Sequence, residues 1–422
     1  MMHTDVCKRS MRIAMLEHTH AHTDEATASK SGGKAAAKAA KAGPAFSVDV
    51  DAAPFRRALS ALMPYSEPRN TIPILGCVTI SMDAPAQRLG VSLFDIDMAI
   101  ETTLPALSSF GSGDAFAVPL RTLAAFMNGA DGEVVEIRKA ATDERVTFTC
   151  GDFSAAIIPM PADEAPRLTG PKFSDAGFRR IPLAEGVMSW LLGLTLPFVS
   201  TEETRYYLNG VAFEFGVDDD GMLRAIATDG HRLGSRQTKT TANIVGRPTV
   251  IIPRAAIKAV AHLAAGKEVV LSVDDMKAEL SFGDTVIRTK LIDGTFPDWR
   301  RVVPKGPFKE FELDAGKIGR LHRASGGVRR ERGVAVKVKP CEGGMSVSAN
   351  NPEFGEVSAV FRGETPEGVD AFGVNSRYFA DMAKAFGAKR IRLGFTGSGD
   401  PLMVNVSGGP AGEFAVLMPM RV

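Results

Sequence analysis

The sequence predicts an α+β protein that contains three copies of one unit, each with antiparallel sheets. One observation is a set of three glycines that each precede an alternating strand pattern, at separations of 134 and 123 residues: Gly76, Gly210 and Gly333. The other is a set of three segments that each open a short amphipathic helix, at separations of 134 and 122 residues, beginning at Val118, Ile252 and Val374. Because two independent sets of markers repeat in step, we interpret the chain as a threefold internal repeat.

Each unit is predicted to run helix, two or three strands, helix and further strands. The leading helices are expected at residues 55–63, 184–194 and 317–323. Strand patterns dominate, turns are rich in glycine and no βαβ phosphate loop occurs, so the sheets are expected to be antiparallel. We expect the units at 46–172, 173–305 and 306–422, after an N-terminal extension, residues 1–45, that is predicted to be disordered.

The N-terminal extension differs in composition from the rest of the chain. Residues 30–41 are alanine, lysine, glycine and serine without a large apolar side chain, which is typical of a disordered segment. Three alternate histidines, His18, His20 and His22, could bind a metal ion. In such a segment no outer shell of hydrogen bonds orients them, so we expect neither a metal site nor another cofactor.

The composition is that of a soluble globular protein with more than one core, since the chain has 422 residues, of which 45% are hydrophobic and 23% charged. No apolar run approaches the roughly 20 residues that span a bilayer, and no secretory signal pattern is present, so we expect a cytoplasmic protein without a membrane partner. The four cysteines form no Cys-x-x-Cys pair, which favours reduced thiols over a zinc site or disulfides.

The charge balance argues against a protein that grips nucleic acid through many phosphate contacts. The net charge is +1, and residues 46–422 carry −2, whereas such proteins usually have a clear basic excess. Several basic residues fall on predicted helices instead, among them Arg254 and Lys258. Similar units joined head to tail either close into a ring or continue as a filament, and a closed ring would place all equivalent helices on one wall.

Residues 200–233 contain the most informative motif. Residues 211–215 and 223–227 are predicted to form a β-hairpin with an acidic glycine turn at 218–221. Asp229 and His231, in Thr-Asp-Gly-His-Arg-Leu, could belong to a hydrolase, but no serine or cysteine nucleophile in a Gly-x-Ser-x-Gly setting accompanies them. A hydrogen-bonded turn is the simpler interpretation. A docking surface, with Leu208, Leu233 and the stem of Arg232 beside an apolar notch, is a third.

Four motifs occur in the order found in one known family. They are RYYLNG at 205–210, ATDGHRL at 227–233, LIDGTFPDWRRV at 291–302 and MPMRV at 418–422. With them, residues 46–422 resemble the bacterial sliding clamp, the beta subunit of DNA polymerase III.

The resemblance implies a three-domain chain that dimerises head to tail, domain 1 against domain 3, into a six-domain ring around duplex DNA. The helices would line the bore and the sheets would lie outside. Such a protein is a processivity factor without catalytic activity, which tethers the replicative polymerase and other replication and repair proteins. A protein held topologically needs little affinity for phosphate, in agreement with the near-neutral charge.

The resemblance also implies two sets of site residues. DNA contacts are expected at Arg69, Tyr206, Tyr207 and Arg254, since arginine can bridge phosphates and tyrosine can stack on unpaired bases. A pocket for short peptide motifs of the polymerase III alpha subunit, the clamp-loader subunits and repair polymerases is expected at Leu208, Thr228, Gly230, His231, Arg232, Leu233, Pro297, Arg301, Val302, Asn375, Tyr378, Val416, Leu417, Met418, Pro419, Met420 and Arg421.

Three features depart from the family pattern. Trp299 stands where tyrosine is usual, residues 93–97 differ from an Ala-Thr-rich version, and the extension 1–45 has no counterpart in typical members. They leave open a divergent paralogous clamp with restricted partners. A DNA-binding protein that does not encircle its substrate is a further alternative, which would bind linear and circular duplex alike.

We expect removal of residues 1–45 to leave the fold, dimerisation and DNA loading unchanged, because an Ala/Lys/Gly-rich segment buries little apolar surface. The measurement is a melting curve and native mass of the full-length and shortened chains. A large fall in melting temperature, or loss of the dimer, would show that the extension is structural.

Overall fold

The computed structural model describes residues 44–66, 71–111, 115–140, 144–172, 178–216, 221–240, 249–328, 335–397 and 399–421. Six α-helices lie in these residues. They are α1 (Ala52–Leu62), α2 (Leu120–Gly129), α3 (Val187–Thr195), α4 (Arg254–Leu263), α5 (Ala315–Ala324) and α6 (Ser376–Ala385).

The strands of the described residues fall into three successive groups of similar order. The first group is β1 (Pro44–Asp51), β2 (Cys77–Asp83), β3 (Arg88–Phe94), β4 (Met98–Pro105), β5 (Ser108–Phe110), β6 (Phe116–Pro119), β7 (Val134–Ala140), β8 (Val146–Cys150), β9 (Phe153–Ile157) and β10 (Met160–Pro161). The second is β11 (Arg179–Leu183), β12 (Gly210–Phe215), β13 (Met222–Thr228), β14 (Arg232–Lys239), β15 (Thr249–Pro253), β16 (Val269–Val273), β17 (Lys277–Phe282) and β18 (Thr285–Lys290). The third is β19 (Lys309–Asp314), β20 (Ala335–Cys341), β21 (Gly344–Asn351), β22 (Gly355–Arg362), β23 (Phe372–Asn375), β24 (Arg390–Phe395), β25 (Leu402–Asn405) and β26 (Phe414–Leu417).

The predicted α+β class with antiparallel sheets is confirmed, since every strand pair in the described residues is antiparallel. The hairpin predicted at 211–215 and 223–227 is β12 with β13, in which Phe213 lies opposite Ala225. Most of its predicted acidic turn lies outside the described residues. The unit boundaries at 172/173 and 305/306 stay predictions.

The leading helices form where they were predicted, with shifted ends. Helix α3 begins three residues later than residue 184, because Gly186 before it has a left-handed backbone (φ 77°) that cannot continue a helix. Strand β1 begins at Pro44, two residues inside the predicted extension, while residues 1–43 lie outside the described part of the chain.

Each helix buries one face against the sheets. In α1 the buried side chains Phe55, Leu59 and Leu62 recur at the helical spacing, while Arg57 is exposed. The helices pack as pairs, α1 with α2, α3 with α4 and α5 with α6, so each group of strands supports one helix pair. The cores of all three groups join into one large apolar cluster.

Two of the four sheets continue from one group of strands into the next. The nine-stranded sheet crosses through β4 and β18, and the eight-stranded sheet crosses through β14 and β26. The two crossings repeat one hydrogen bond, in which a residue at or just past the end of the later strand donates its backbone N–H to the carbonyl of the residue before the earlier strand. Lys290 donates to Asp97 (3.0 Å), and Met418 donates to His231 (2.9 Å).

A buried ion pair crosses the β14–β26 junction. Arg236 in β14 donates to Glu413 before β26, with N–O distances of 2.7 and 2.6 Å, and both side chains are almost fully buried. The guanidinium also lies over the ring of Trp190 and donates to the carbonyls of Trp190 and Phe386. Burial lowers the pKa of Arg236, although Glu413 favours its charged form. The pair joins α3 and β14 to the end of α6.

We expect Glu413→Ala to lower the free energy of unfolding by about 3 kcal/mol, because it leaves the buried Arg236 guanidinium without its carboxylate. Urea unfolding of the variant measures the loss. Arg236→Met/Glu413→Ala should recover part of it. Glu312→Ala, which removes the half-buried partner of Arg390, should cost under about 1 kcal/mol. An equal, small loss in both single variants would contradict a structural role for the buried pair.

Candidate functional site

A cavity of about 220 Å³ opens where the β14–β26 junction reaches the surface. We call it the junction groove. Four segments meet there: the 3₁₀ turn before β12, the turn between β13 and β14, the connection from β18 to β19, and the end of β26. Its lining residues are Arg205, Tyr207, Leu208, Thr228, Gly230, His231, Arg232, Leu233, Pro297, Asp298, Trp299, Val302, Val416 and Met418.

The β13–β14 turn is held by its own polar side chains. The Asp229 carboxylate accepts the backbone N–H groups of His231 and Arg232, each at 3.0 Å. Thr228 donates its hydroxyl to the Arg232 carbonyl (2.8 Å) and accepts the N–H of Gly230 (3.1 Å). Gly230 has a φ of 87°, a conformation that favours glycine. The turn is therefore a rigid wall of the groove, in agreement with the turn interpretation of the sequence.

Arg232 fixes the floor of the junction groove between two aromatic rings. Its guanidinium lies 5.1 Å from the ring centroid of Phe198 and 4.3 Å from that of Tyr378. It donates to Asp229 (3.0 Å), to Asp381 (3.3 Å) and to the carbonyl of Pro197 (3.0 Å). Because these partners come from the 3₁₀ turn after α3, from α6 and from the β13–β14 turn, one side chain ties together the elements around the groove.

The geometry does not favour the hydrolase alternative. Asp229 uses its carboxylate on two backbone N–H groups and on Arg232, whereas the His231 ring stacks on Tyr378, with centroids 5.9 Å apart and an interplanar angle of 25°. The pair therefore lacks the hydrogen bond between carboxylate and imidazole that proton transfer would use.

The opposite wall comes from the connection between β18 and β19. Trp299 packs in a small apolar cluster with Leu233, Val416, Ala212, Ile226 and Ile251, beneath the groove. The rim of the groove is apolar as well, since its lining residues Val302 and Met418 are 44% and 37% exposed. Among the described residues, these are exposed large apolar side chains next to a cavity, an arrangement typical of an interaction site.

The structure brings ten of the predicted pocket residues together in the junction groove: Leu208, Thr228, Gly230, His231, Arg232, Leu233, Pro297, Val302, Val416 and Met418. The other seven do not line it. Tyr378 lies behind His231 and Arg232, and Asn375 caps α6 by accepting the N–H groups of Arg377 and Tyr378. Leu417 is fully buried on the other face of β26, because side chains alternate along a strand. Arg301, Pro419, Met420 and Arg421 lie outside the lining, with Met420 bonded through its N–H to Gly373 (2.8 Å).

Sequence reasoning missed Arg205, Asp298 and Trp299 as site residues, and it assigned the fourth remaining lining residue, Tyr207, to DNA contact. Arg205, Asp298 and Trp299 each lie inside a motif that carried the resemblance. Their closeness in sequence to Tyr207 and Pro297 was therefore the signal that could have identified them. Arg205 is oriented by Glu202, to which it donates at 2.7 Å, and this hydrogen bond raises the pKa of Arg205.

Of the four residues expected to contact DNA, Tyr207 lines the junction groove. Arg69 lies outside the described residues. Tyr206 is 52% exposed, whereas the adjacent Tyr207 faces the junction groove, with the two ring centroids 5.8 Å apart. Arg254 lies at the first position of α4 and is half-buried.

In the part of the chain that the structure describes, no cluster of three His, Cys, Asp or Glu side chains could hold a metal ion. Cys77, Cys150 and Cys341 are free thiols, and burial raises the pKa of Cys77. None of the described helices has the length and apolar character that a membrane crossing needs. The histidine cluster of the extension and Cys7 lie outside these residues.

Two family models match the chain. Residues 188–298 match the central domain of the DNA polymerase III beta subunit, and residues 300–421 match its C-terminal domain. The beta sliding clamp of Caulobacter vibrioides is 31% identical over 382 residues, which cover 88% of this chain and 99% of that protein. The beta sliding clamp of Escherichia coli K12 is 26% identical over 84% of this chain and 94% of its own length.

Solved structures agree with these sequence matches. The sliding clamp of Bartonella birtlesii, solved bound to griselimycin, superposes with a TM-score of 0.81 at 28% identity and covers 89% of this chain and 100% of that one. The beta sliding clamp of C. crescentus gives a TM-score of 0.79 at 29% identity, with the same coverage. The chain belongs to the bacterial beta sliding clamps, the beta subunits of DNA polymerase III.

Proposed function

We propose that this sliding clamp, a non-catalytic processivity factor for DNA polymerase III, closes head to tail through strands β9 and β22 and binds partner peptides in the junction groove. The observation that carries the proposal is the repeated β4–β18 and β14–β26 pairing. A clamp that acts on chromosomal DNA in a bacterium works in the cytoplasm.

The strand edges support the proposed dimer. Strands β4, β14 and β22 hold equivalent places in the three groups, as do β9, β18 and β26. Within the chain, β4 of the first set pairs with β18 of the second set, and β14 pairs with β26. The remaining members, β22 and β9, are sheet edges. Pairing β22 of one protomer with β9 of its partner would repeat the same contact a third time. Two such contacts close a ring of six units, because a heterologous interface with the right rotation is self-limiting.

The repeat also supports one register for the proposed pair. Ile158 follows β9 as Met418 follows β26, so its N–H is expected to donate to the carbonyl of Phe354 on the partner. In this register Ser154 lies opposite Ser358, and Ala155 lies opposite Val357. Ile157, Val357 and Ala359 all pack on the core, so directly opposed residues share a face, as in an antiparallel sheet.

Exposed apolar side chains lie at both edges. Phe153 and Ile158 are 46% and 66% exposed, and Phe354 and Val360 are 49% and 42% exposed. An unpaired edge with such side chains invites association with another chain. Burying them against each other would add an apolar contribution to the backbone hydrogen bonds of the new strand pair.

For this dimer we expect a native mass of about 90 kDa, twice 44.9 kDa, and a disulfide between protomers in Ser154→Cys/Ser358→Cys under mild oxidation. Opposed residues of a hydrogen-bonded antiparallel pair have Cα atoms about 5.5 Å apart, within disulfide range. Non-reducing electrophoresis detects the linked dimer.

The matched control for this cross-link is Ser154→Cys/Val360→Cys, which displaces one cysteine by two residues on the same face of β22. It should cross-link far less, and each variant that adds only one of the two cysteines to the four native ones should not form this cross-link. A monomer at micromolar concentration would contradict the ring, whereas equal linking in both pairs would contradict only the register.

Exposed basic side chains on the helices support the proposal that the helices face duplex DNA. Arg57, Arg121, Lys258, Arg323 and Lys384 all have exposed side chains. Arg56 is different, because it donates to the carbonyls of Met127 and Ala130 at the end of α2. Exposed Tyr206 is a candidate for stacking on an unpaired base, and Arg254 for a phosphate contact, as is Arg69 from outside the described residues.

The junction groove supports the binding of a linear peptide with apolar anchors. Leu233, Trp299 and Val416 give the groove an apolar lining, and Met418 has a flexible thioether that can adapt to different side chains. Met420, two residues further along the chain, is a second exposed thioether that could do the same. Such a groove suits the polymerase III alpha subunit, clamp-loader subunits and repair polymerases as alternative partners. All of them would compete for one site in each chain.

We expect deletion of Met418 to Val422 to abolish binding of a labelled peptide from the C-terminus of the polymerase III alpha subunit, while the dimer persists. Met420→Ala should weaken binding about thirtyfold if this side chain is a buried anchor worth roughly 2 kcal/mol. His231→Ala should weaken it too, without removing any chemical turnover. Fluorescence anisotropy measures the affinity.

A melting curve of each variant provides the control for this prediction. If the terminal segment is only a core strand, melting temperatures will fall while the folded variants bind the peptide with unchanged affinity. That result would show that the groove is not the peptide site.

A further inference from the structure

We propose that Glu214 is a positioning residue for the junction groove, which fixes the aromatic wall through the indole of Trp299 and so determines how tightly a peptide is held. This inference rests on the proposed peptide site. Glu214 lies in β12, beneath the groove, and is not among its lining residues.

The contact between the two side chains is direct and buried. The indole Nε1 of Trp299 donates to Oε1 of Glu214 at 2.9 Å. Glu214 and Trp299 are both 7% exposed. A buried indole N–H needs an acceptor, and a buried carboxylate needs donors, so each side chain satisfies the other.

Two arginines complete the arrangement around the indole. Arg224 and Arg300 place their guanidinium carbons 4.8 and 4.3 Å from the Trp299 ring centroid. Both also donate to the carboxylate of Glu214, Arg224 at 3.4 Å and Arg300 at 3.3 Å. The carboxylate therefore orients the indole and both cations that pack on it, so that removal of one charge disturbs three contacts.

The consequence for the groove follows from what Trp299 touches. The ring lines the groove and packs on Val416 and Leu233 beneath it, and its centroid lies 5.8 Å from that of Phe414. It belongs to a short 3₁₀ turn, Trp299–Arg301, whose neighbours Pro297 and Val302 also line the groove. In the described residues the connection between β18 and β19 contains no α-helix or strand of its own, so it depends on contacts with the sheet beneath it. The hydrogen bond to Glu214 is the polar contact that orients Trp299 within that packing.

Trp299 is also a specificity-determining residue under this proposal. An indole is larger than a phenol or phenyl ring. The hydrogen bond that its N–H donates to Glu214 fixes which edge of the ring faces the cavity. A peptide anchor must fit a space of about 220 Å³ next to that edge. Trp299→Phe should keep a ring in place but lose the bond that orients it.

The test measures peptide affinity and indole environment separately. The chain has two tryptophans, so Trp190→Phe leaves Trp299 as the single fluorescent reporter. In that background we expect Glu214→Ala to shift the fluorescence emission of Trp299 to longer wavelength. The same variant should weaken binding of the labelled alpha-subunit peptide about tenfold. Glu214→Gln, which keeps an oxygen acceptor, should restore both readouts to within about threefold of the parent. Trp299→Phe should weaken binding of the peptide without loss of the dimer.

A matched control separates positioning from stability. Phe55→Leu changes a core residue of the first group of strands, far from the groove. It should lower the melting temperature and leave peptide affinity unchanged. If Glu214→Ala binds the peptide as tightly as the parent, or if Glu214→Gln is as weak as Glu214→Ala, the positioning role is wrong. If the parent itself does not bind the peptide, the peptide-site assignment fails instead.

Discussion

The structure depends on backbone pairing between strands that belong to different units. The β14–β26 pair brings the β13–β14 turn next to the end of the chain, and the hydrogen bond from Met418 to His231 fixes their separation. Without this pairing the two walls of the junction groove would belong to separate surfaces. The junction groove is therefore formed where the second and third groups of strands join, and neither group contains it alone.

Two arginines carry their charge inside the protein. Arg232 and Arg236 lie four residues apart in β14, and both are buried against aromatic rings and carboxylates of neighbouring elements. Burying a guanidinium costs free energy that only a complete set of partners offsets. Both arginines have such a set, drawn from both sides of the junction, so a misplaced unit would leave them unsatisfied. The pairs thus specify one arrangement of the units as well as stabilising it.

The sequence predicted the repeated elements well, because helical and alternating patterns are local. The hairpin of β12 and β13 and the helices after Pro119 and Pro253 lie where the markers placed them. The role of Trp299 could not be predicted, since its partner Glu214 is 85 residues away in sequence. Leu417 was misplaced in the groove because a motif names consecutive residues, whereas a strand directs them to opposite faces. Arg205 and Asp298 face the groove only through the fold of the connections.

The covalent connections give the three kinds of junction different mechanical roles. At β4–β18 and β14–β26 a peptide segment also links the two sides, so separating those strands would loosen the protein while a DNA strand stayed enclosed. In the proposed ring only the seam between β9 and β22 lacks such a link. Opening the ring for loading onto DNA would then require breaking one short row of hydrogen bonds. The free energy that a clamp loader must supply would be set by that interface and not by the stability of the fold.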